Sequence, residues 1–201
     1  MDIYGENRTL LDAQAQALVR DISAFRETLR SRYGDDPVEH LECRIKSDES
    51  MREKLRRKGL TETAENALYG VHDAIGVRVV CSFLRDVYAV RDYLVGLPAY
   101  EVVEEKDYIR HVKPNGYRSY HMILRCGGDL YAEVQIRTIS MDTWAALEHH
   151  LKYKKTINEN TALIVSELKR CADELASTDL SMQTIRDMIM ESEELYEDPA
   201  G

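Results

Sequence analysis

The stretch from residue 120 to residue 137 constrains this chain more than any other. Tyr120, Met122 and Leu124 alternate with His121, Ile123 and Arg125. After Gly127-Gly128-Asp129, Leu130, Ala132, Val134 and Ile136 alternate with Tyr131, Glu133, Gln135 and Arg137. A period of two on both arms, with a Gly-Gly-Asp turn between them, predicts a β-hairpin that is apolar on one face and polar on the other. An apolar sheet face has to be covered, so helices must flank it.

Those helices are legible. Leu10, Leu11, Ala15, Leu18, Ile22, Phe25 and Leu29 recur at helical spacing through 9–33, and Gly34-Asp35-Asp36-Pro37 breaks the pattern. Residues 47–58 read as a second, strongly basic helix ended by Gly59, and Thr61 is placed to cap a third that runs to Tyr69-Gly70. Val77, Val79, Cys81 and Phe83 alternate with Arg78, Val80 and Ser82, which predicts a strand. Residues 86–94 suit a helix and 100–109 another strand. A helix is expected over 140–155, and two more over 159–176 and 179–196. Helices, four strands with helical interludes, then helices again make an α+β or mixed α/β fold.

Length and composition exclude several classes. The chain has 201 residues, enough for one domain with a real core. No apolar run approaches the ~20 residues of a membrane span, and Met1 to Glu6 lacks the basic and apolar regions of a secretory signal, so a cytoplasmic protein is expected. Cys43, Cys81, Cys126 and Cys171 lie far apart, with no Cys-x-x-Cys pair, so reduced, buried thiols are expected rather than a zinc clip or a disulfide scaffold. The net charge of −9 looks hostile to polyanions, but residues 1–155 hold 24 Lys+Arg against 25 Asp+Glu, and residues 156–201 hold 3 against 11. The acidity belongs to the tail, and the body can receive an anion. We therefore expect a catalytic body over 1–155 and an acidic helical segment over 156–201 that packs on it or mediates oligomerisation.

Four groups of residues carry chemistry. The polar face of the hairpin, with His121, Glu133, Gln135 and Arg137, and with Arg78 facing outward on its own strand, looks like a floor for a charged ligand. Asp73, at the entrance to the strand 77–83, is placed to join Glu133 in a two-carboxylate Mg²⁺ site. His72-Asp73 also invites comparison with His-Asp metal phosphohydrolases, but those need further ligands on helices and this pair leads into a strand. The loop Lys113-Pro114-Asn115-Gly116-Tyr117-Arg118-Ser119-Tyr120-His121 combines a turn with cations, an amide and aromatics, a set suited to stacking on a purine and reading its edge. Arg44, Lys46, Ser50, Lys54, Arg56, Arg57 and Lys58 form a basic strip, with 46, 50, 54 and 57 on one helical face, suited to a polyphosphate. Neither a Walker-type nor a Gly-x-Gly-x-x-Gly loop is present. On the helix after 140, Trp144 reads as a core anchor, and Glu148-His149 and Tyr153-Lys154 as residues that orient the polar face.

In order, Arg44-x-Lys46-x3-Ser50-x3-Lys54, Asp73-x2-Gly76-x-Arg78, Asp107-Tyr108-Ile109, the loop from Lys113 to His121, Glu133-Val-Gln-Ile-Arg-Thr138 and Trp144-Ala-x2-Glu148-His149-x3-Tyr153-Lys154 closely resemble the synthetase domain of the RelA/SpoT family, from about residue 38 to 155. The size resembles that of a small alarmone synthetase. The resemblance implies a nucleotidyltransferase-like mixed sheet of about five strands, with helices at both termini. It implies transfer of the β,γ-pyrophosphate of ATP to the 3′-hydroxyl of GDP or GTP, giving (p)ppGpp and AMP. Asp73 and Glu133 would hold Mg²⁺, and Glu133 would also take the hydroxyl proton. Arg44 and Arg78 would sandwich adenine, and Lys46, Ser50 and Lys54 would meet the ATP side. Tyr117 would stack on guanine beside Lys113 and Asn115, with His121, Gln135 and Arg137 lining the acceptor side. A homotetramer through the terminal helices is also implied. Two alternatives stand beside it: a toxic relative that would share the ATP half and pyrophosphorylate the 3′ end of tRNA, and a non-catalytic nucleotide sensor.

Overall fold

The hairpin lies inside a five-stranded sheet in the computed structural model, which describes residues 2–34, 36–153 and 161–197. The chain runs α1 (Arg8–Tyr33), β1 (Val38–Ile45), α2 (Asp48–Arg57), β2 (Ile75–Cys81), α3 (Leu84–Gly96), β3 (Glu101–Asp107), β4 (Tyr120–Arg125), β5 (Tyr131–Thr138), α4 (Ile139–Tyr153) and α5 (Thr161–Glu197). The spatial order is β1-β2-β5-β4-β3; β2 pairs parallel with β5 and the other pairs are antiparallel. The sheet is thus mixed and helix-flanked, as the fold class requires.

Alternation decides which face is buried. Met122 and Leu124 on β4, Ala132, Val134 and Ile136 on β5, and Ile75 and Val79 on β2 are wholly enclosed, together with Leu11, Leu18 and Ile22 of α1 and Val87, Val90 and Leu94 of α3. Each of the larger side chains contributes roughly 1.5–3 kcal/mol, so the packing of α1 and α3 fixes the sheet's register and leaves the opposite, polar face free to build a site. At the hairpin tip Gly128 (φ 72) and Asp129 (φ 57) are left-handed, and Cys126 N–H donates to the Leu130 carbonyl at 2.7 Å.

Four expectations need correction. Residues 38–45, unassigned in the sequence, form β1. It is an edge strand with a bulge between Val38 and His40 and only partial burial, so its alternation is weak. The third helix does not start at Thr61: the Thr63 hydroxyl accepts from Asn66 N–H at 3.2 Å, and the segment closes as a single π turn, Asn66–Gly70. The two C-terminal helices are one, because Thr178 and Ser181 hydroxyls donate back to the Glu174 and Ser177 carbonyls (3.1 and 3.0 Å) instead of capping a break. Cys81 and Cys126 are buried, and burial pushes the Cys126 thiol up to about 11, but Cys171 is exposed. All four cysteines are free.

α5 packs on α4 and α3. The boundary expected near 155, and Lys154, lie outside the described residues. No helix among the described residues is long and apolar enough to cross a membrane.

Candidate active site

Register sets the site. Arg44 on β1 pairs with Gly76 on β2, Gly76 with Glu133 on β5, and Glu133 with Ile123 on β4; one row along, Glu42, Arg78, Gln135 and His121 stand in line. Gly76 leaves an opening between Arg44 and Glu133, since the nearest atoms to a Cβ there would be those of Arg44, 3.9 Å away. The result is a cavity of about 50 Å³ lined by Arg44, Lys46, Asp73, Arg78, Glu133 and Gln135, among others.

Asp73 sits just before β2 and is 9% exposed. Lys46, at the end of β1, and Lys54, on α2, both reach its Oδ2, at 2.6 and 2.5 Å. Burial pushes the Asp73 carboxyl up, but the two lysine bonds outweigh it and the group lies below the ordinary carboxylate range. Its Oδ1 is buried with no hydrogen-bond partner. A buried carboxylate oxygen left without a donor, beside a second carboxylate in the same cavity, fits a hard divalent cation, which takes one or two carboxylates and completes its shell with phosphate and water. Among the described residues no cluster of three or more His, Cys, Asp or Glu forms an all-protein metal cage. His72, instead of joining Asp73 in a phosphohydrolase pair, stacks on Tyr131 at 4.0 Å.

The rest of the β1–α2 side is looser. Arg44 and Ser50 are exposed, and Ser50 touches the helix cap Ser47 at 2.9 Å. Arg78 faces Glu42 and Asp142, each at 3.6 Å, and its Nε is buried without a hydrogen bond. Of the basic strip, Arg56 is bound to Glu62, and Arg52, beside it on α2, is bound to Asp48 and Glu62. The strip is therefore partly neutralised within the fold.

On the β4–β5 side the candidates close into a ring of hydrogen bonds. Glu133 Oε1 meets His121 Nδ1 at 3.3 Å, and His121 Nε2 meets the Tyr117 hydroxyl at 2.8 Å. Arg137 Nη2 donates to the Tyr117 oxygen at 2.8 Å and to Gln135 Oε1 at 2.7 Å; Gln135 Nε2 returns to Glu133 Oε2 at 3.3 Å. His121 holds the Glu133 carboxyl below its ordinary range against the opposing pull of burial and of Asp73. Lys113 Nζ lies 4.2 Å from the Tyr108 ring centre and 5.0 Å from that of Tyr117. Asn115 accepts from Tyr117 N–H at 3.2 Å and donates to Glu148 at 3.1 Å.

The structure thus gathers Arg44, Lys46, Asp73, Arg78, Glu133 and Gln135 around one cavity, ties Lys54 to it through Asp73, and sets Lys113, Asn115, Tyr117, His121 and Arg137 beside it. Glu148 is buried and accepts from Asn115 of the loop, whereas His149 is exposed. Trp144 is a core anchor with its indole N–H on the Leu168 carbonyl at 2.9 Å. Asp142 was missed by sequence reasoning. It pins Arg137 at 3.0 Å and faces Arg78, and its one signal was an acidic residue in the first turn of α4.

Residues 43–158 match the family described as "Region found in RelA / SpoT proteins". The chain is 43% identical over 148 residues to GTP pyrophosphokinase YwaC of Bacillus subtilis (strain 168), covering 70% of each protein. It resembles the crystal structure of small alarmone synthetase 2 from Bacillus subtilis with a TM-score of 0.76 and 36% identity, over 91% of this chain and 99% of that one. It also resembles small alarmone synthetase 1 from Bacillus subtilis bound to its product pppGpp, with a TM-score of 0.76 and 30% identity, over 89% and 94% of the two chains. The matched span holds more than half of the chain and every candidate side chain named above, and the chain belongs to the RelA/SpoT family.

Proposed function

We propose that this chain is a GTP pyrophosphokinase that moves the β,γ-pyrophosphate of ATP to the 3′-hydroxyl of GDP or GTP, producing (p)ppGpp and AMP. The observation that carries this reading is the ring from Glu133 through His121, Tyr117, Arg137 and Gln135: it ties an aromatic platform suited to guanine to a carboxylate placed for the acceptor hydroxyl. In the reaction the 3′-oxygen attacks the β-phosphorus, the bond from that phosphorus to the α–β bridging oxygen breaks, and the bridging oxygen leaves with AMP. Glu133, held ionised by His121, takes the hydroxyl proton. Arg44, across from Gly76 on β1, and Arg78, two residues along β2 from it, flank adenine, where guanidinium planes can stack. Lys46, Ser50 and Lys54 meet the phosphates, and the lysines exchange Asp73 for phosphate oxygens of the same charge. Lys113, Asn115 and Tyr117 hold guanine, and Arg137 and Gln135 keep the platform aligned.

Mg²⁺ is the implied cofactor; Asp73 and Glu133 would hold it, and when bound it neutralises charge on the transferring phosphates. Such transfer depends on in-line positioning and charge neutralisation more than on covalent chemistry, which matches a site made of oriented cations and two carboxylates. We further propose that the body over 1–155 is catalytic, that the protein works in the cytoplasm, and that the exposed Leu180, Ile185, Met188 and Ile189 of α5 are covered in a homo-oligomer, a tetramer by the family likeness.

The test supplies ATP labelled in its terminal phosphate with either GDP or deacylated tRNA. Label on the guanine nucleotide with matching AMP release is expected; label on tRNA alone, or no transfer at all, contradicts the reading.

A further inference from the structure

The acceptor loop, residues 113–119, does not stand by itself. It is laid on α5, a helix that supplies none of the candidate site residues. Gly116 (φ +93) lies so close to the helix that a Cβ there would stand 2.7 Å from Ala172 Cβ and 3.0 Å from Lys169 Cα. Only glycine allows both that backbone conformation and that approach. Next along the loop, Arg118 donates to the Gly116 carbonyl at 3.1 Å and to Asp173 Oδ1 at 2.8 Å. Lys169 holds the other Asp173 oxygen at 2.7 Å, so each oxygen has its own cation. One turn back, the Leu168 carbonyl accepts the indole N–H of Trp144, whose ring stands edge-on to Tyr117 at 6.3 Å. One to two turns on, Asp179 accepts from Thr138, at the end of β5, at 2.6 Å. The void left between loop, α4 and α5 is about 10 Å³, at the lower limit for one water.

We infer that α5 is a positioning element for the acceptor: Ala172 and Asp173 seat the loop through Gly116 and Arg118, and so fix the angle at which Tyr117 meets guanine. The inference rests on the proposed role of Tyr117. The β1–α2 side takes its geometry from other partners, Lys46 and Lys54 being bound to Asp73. A disturbance confined to α5 therefore reaches the acceptor and spares ATP. Asp173 and Ala172 touch no substrate, and their effect passes through the loop.

The experiment measures KM for GDP and for ATP separately in the full chain and in three variants: Ala172→Leu, Asp173→Asn and Asp173→Glu. Leucine at 172 drives the loop from its seat and is expected to raise the KM for GDP by about tenfold. Asp173→Asn, which weakens a partly exposed ion pair, is expected to raise it about threefold. Asp173→Glu, which still reaches Arg118, restores it. The KM for ATP stays within twofold of the wild-type value throughout. GDP titration followed by the emission of Trp144, the single tryptophan, should show the same weakening without turnover. If Ala172→Leu does not fold, the Asn and Glu pair decides alone. A wild-type enzyme that uses GDP, with folded variants that leave its KM unchanged or raise both KM values together, overturns the inference and leaves the function standing. A wild-type chain that does not use GDP overturns both.

Discussion

The donor side of the sheet, at β1, α2 and β2, and the acceptor side, at β4, β5 and the loop 113–119, hold their charges in different ways. On the donor side two lysines share one oxygen of Asp73, Arg44 is exposed, and Arg78 sees its carboxylates only at 3.6 Å. Lysine ammonium groups on flexible stems are easily handed from a carboxylate to a phosphate. On the acceptor side Arg137 is 6% exposed and the ring from Glu133 to Gln135 is closed by the protein's own side chains. The donor's transferring phosphates carry charge enough to reorganise the lysines around them, whereas the acceptor reacts through a neutral hydroxyl that brings none. The reacting hydroxyl is met by the preorganised half.

Removing the carboxylate of either half breaks the comparison most severely. Asp73→Ala or Glu133→Ala is expected to lower turnover at least about 100-fold with circular dichroism unchanged; more than a tenth of the rate remaining contradicts the assignment. Next comes Tyr117→Ala, which removes a base-stacking platform worth about 1–3 kcal/mol and should raise the KM for GDP about 5- to 150-fold, leaving that for ATP unaltered. Stability should separate the halves more gently. Arg137→Met opens a buried hydrogen-bonded network and is expected to cost about 1–3 kcal/mol in denaturant unfolding, whereas Lys54→Met, with Lys46 still on Asp73, should cost less than about 1 kcal/mol. Equal losses would erase the distinction between a locked and an exchangeable side. The smallest effect is in pH. The Asp73 carboxyl is held below its ordinary range, so the stabilisation supplied by its lysines is complete above that range and lost as pH falls through the depressed value. Lys54→Met should therefore move the acid unfolding midpoint slightly upward.

What could be read in the sequence follows from which signals are local. The hairpin was legible because β4 and β5 each have one face buried, which enforced apolar residues at every second position from 120 to 124 and from 130 to 136. β1 was not, because an edge strand with Glu39, His40, Glu42 and Arg44 exposed needs only three half-buried residues, and a bulge shifts their phase. The break expected between 176 and 179 falls at Ser177, Thr178 and Asp179, residue types that favour caps; in the structure Thr178 is satisfied within the helix and Asp179 by Thr138. The site residues were legible as residue types in order, aided by family likeness. Their division into a lysine clamp and a closed ring was not, since it depends on parallel pairing of β2 with β5 and on Asp142, contributed by α4.

The most direct test of the central claim uses ATP carrying distinguishable labels in its β and γ phosphates, with GDP as acceptor. The account predicts that both labels reach the guanine nucleotide in equal amounts, one pair for each AMP released. Transfer of the γ label alone, with ADP as the other product, would contradict it.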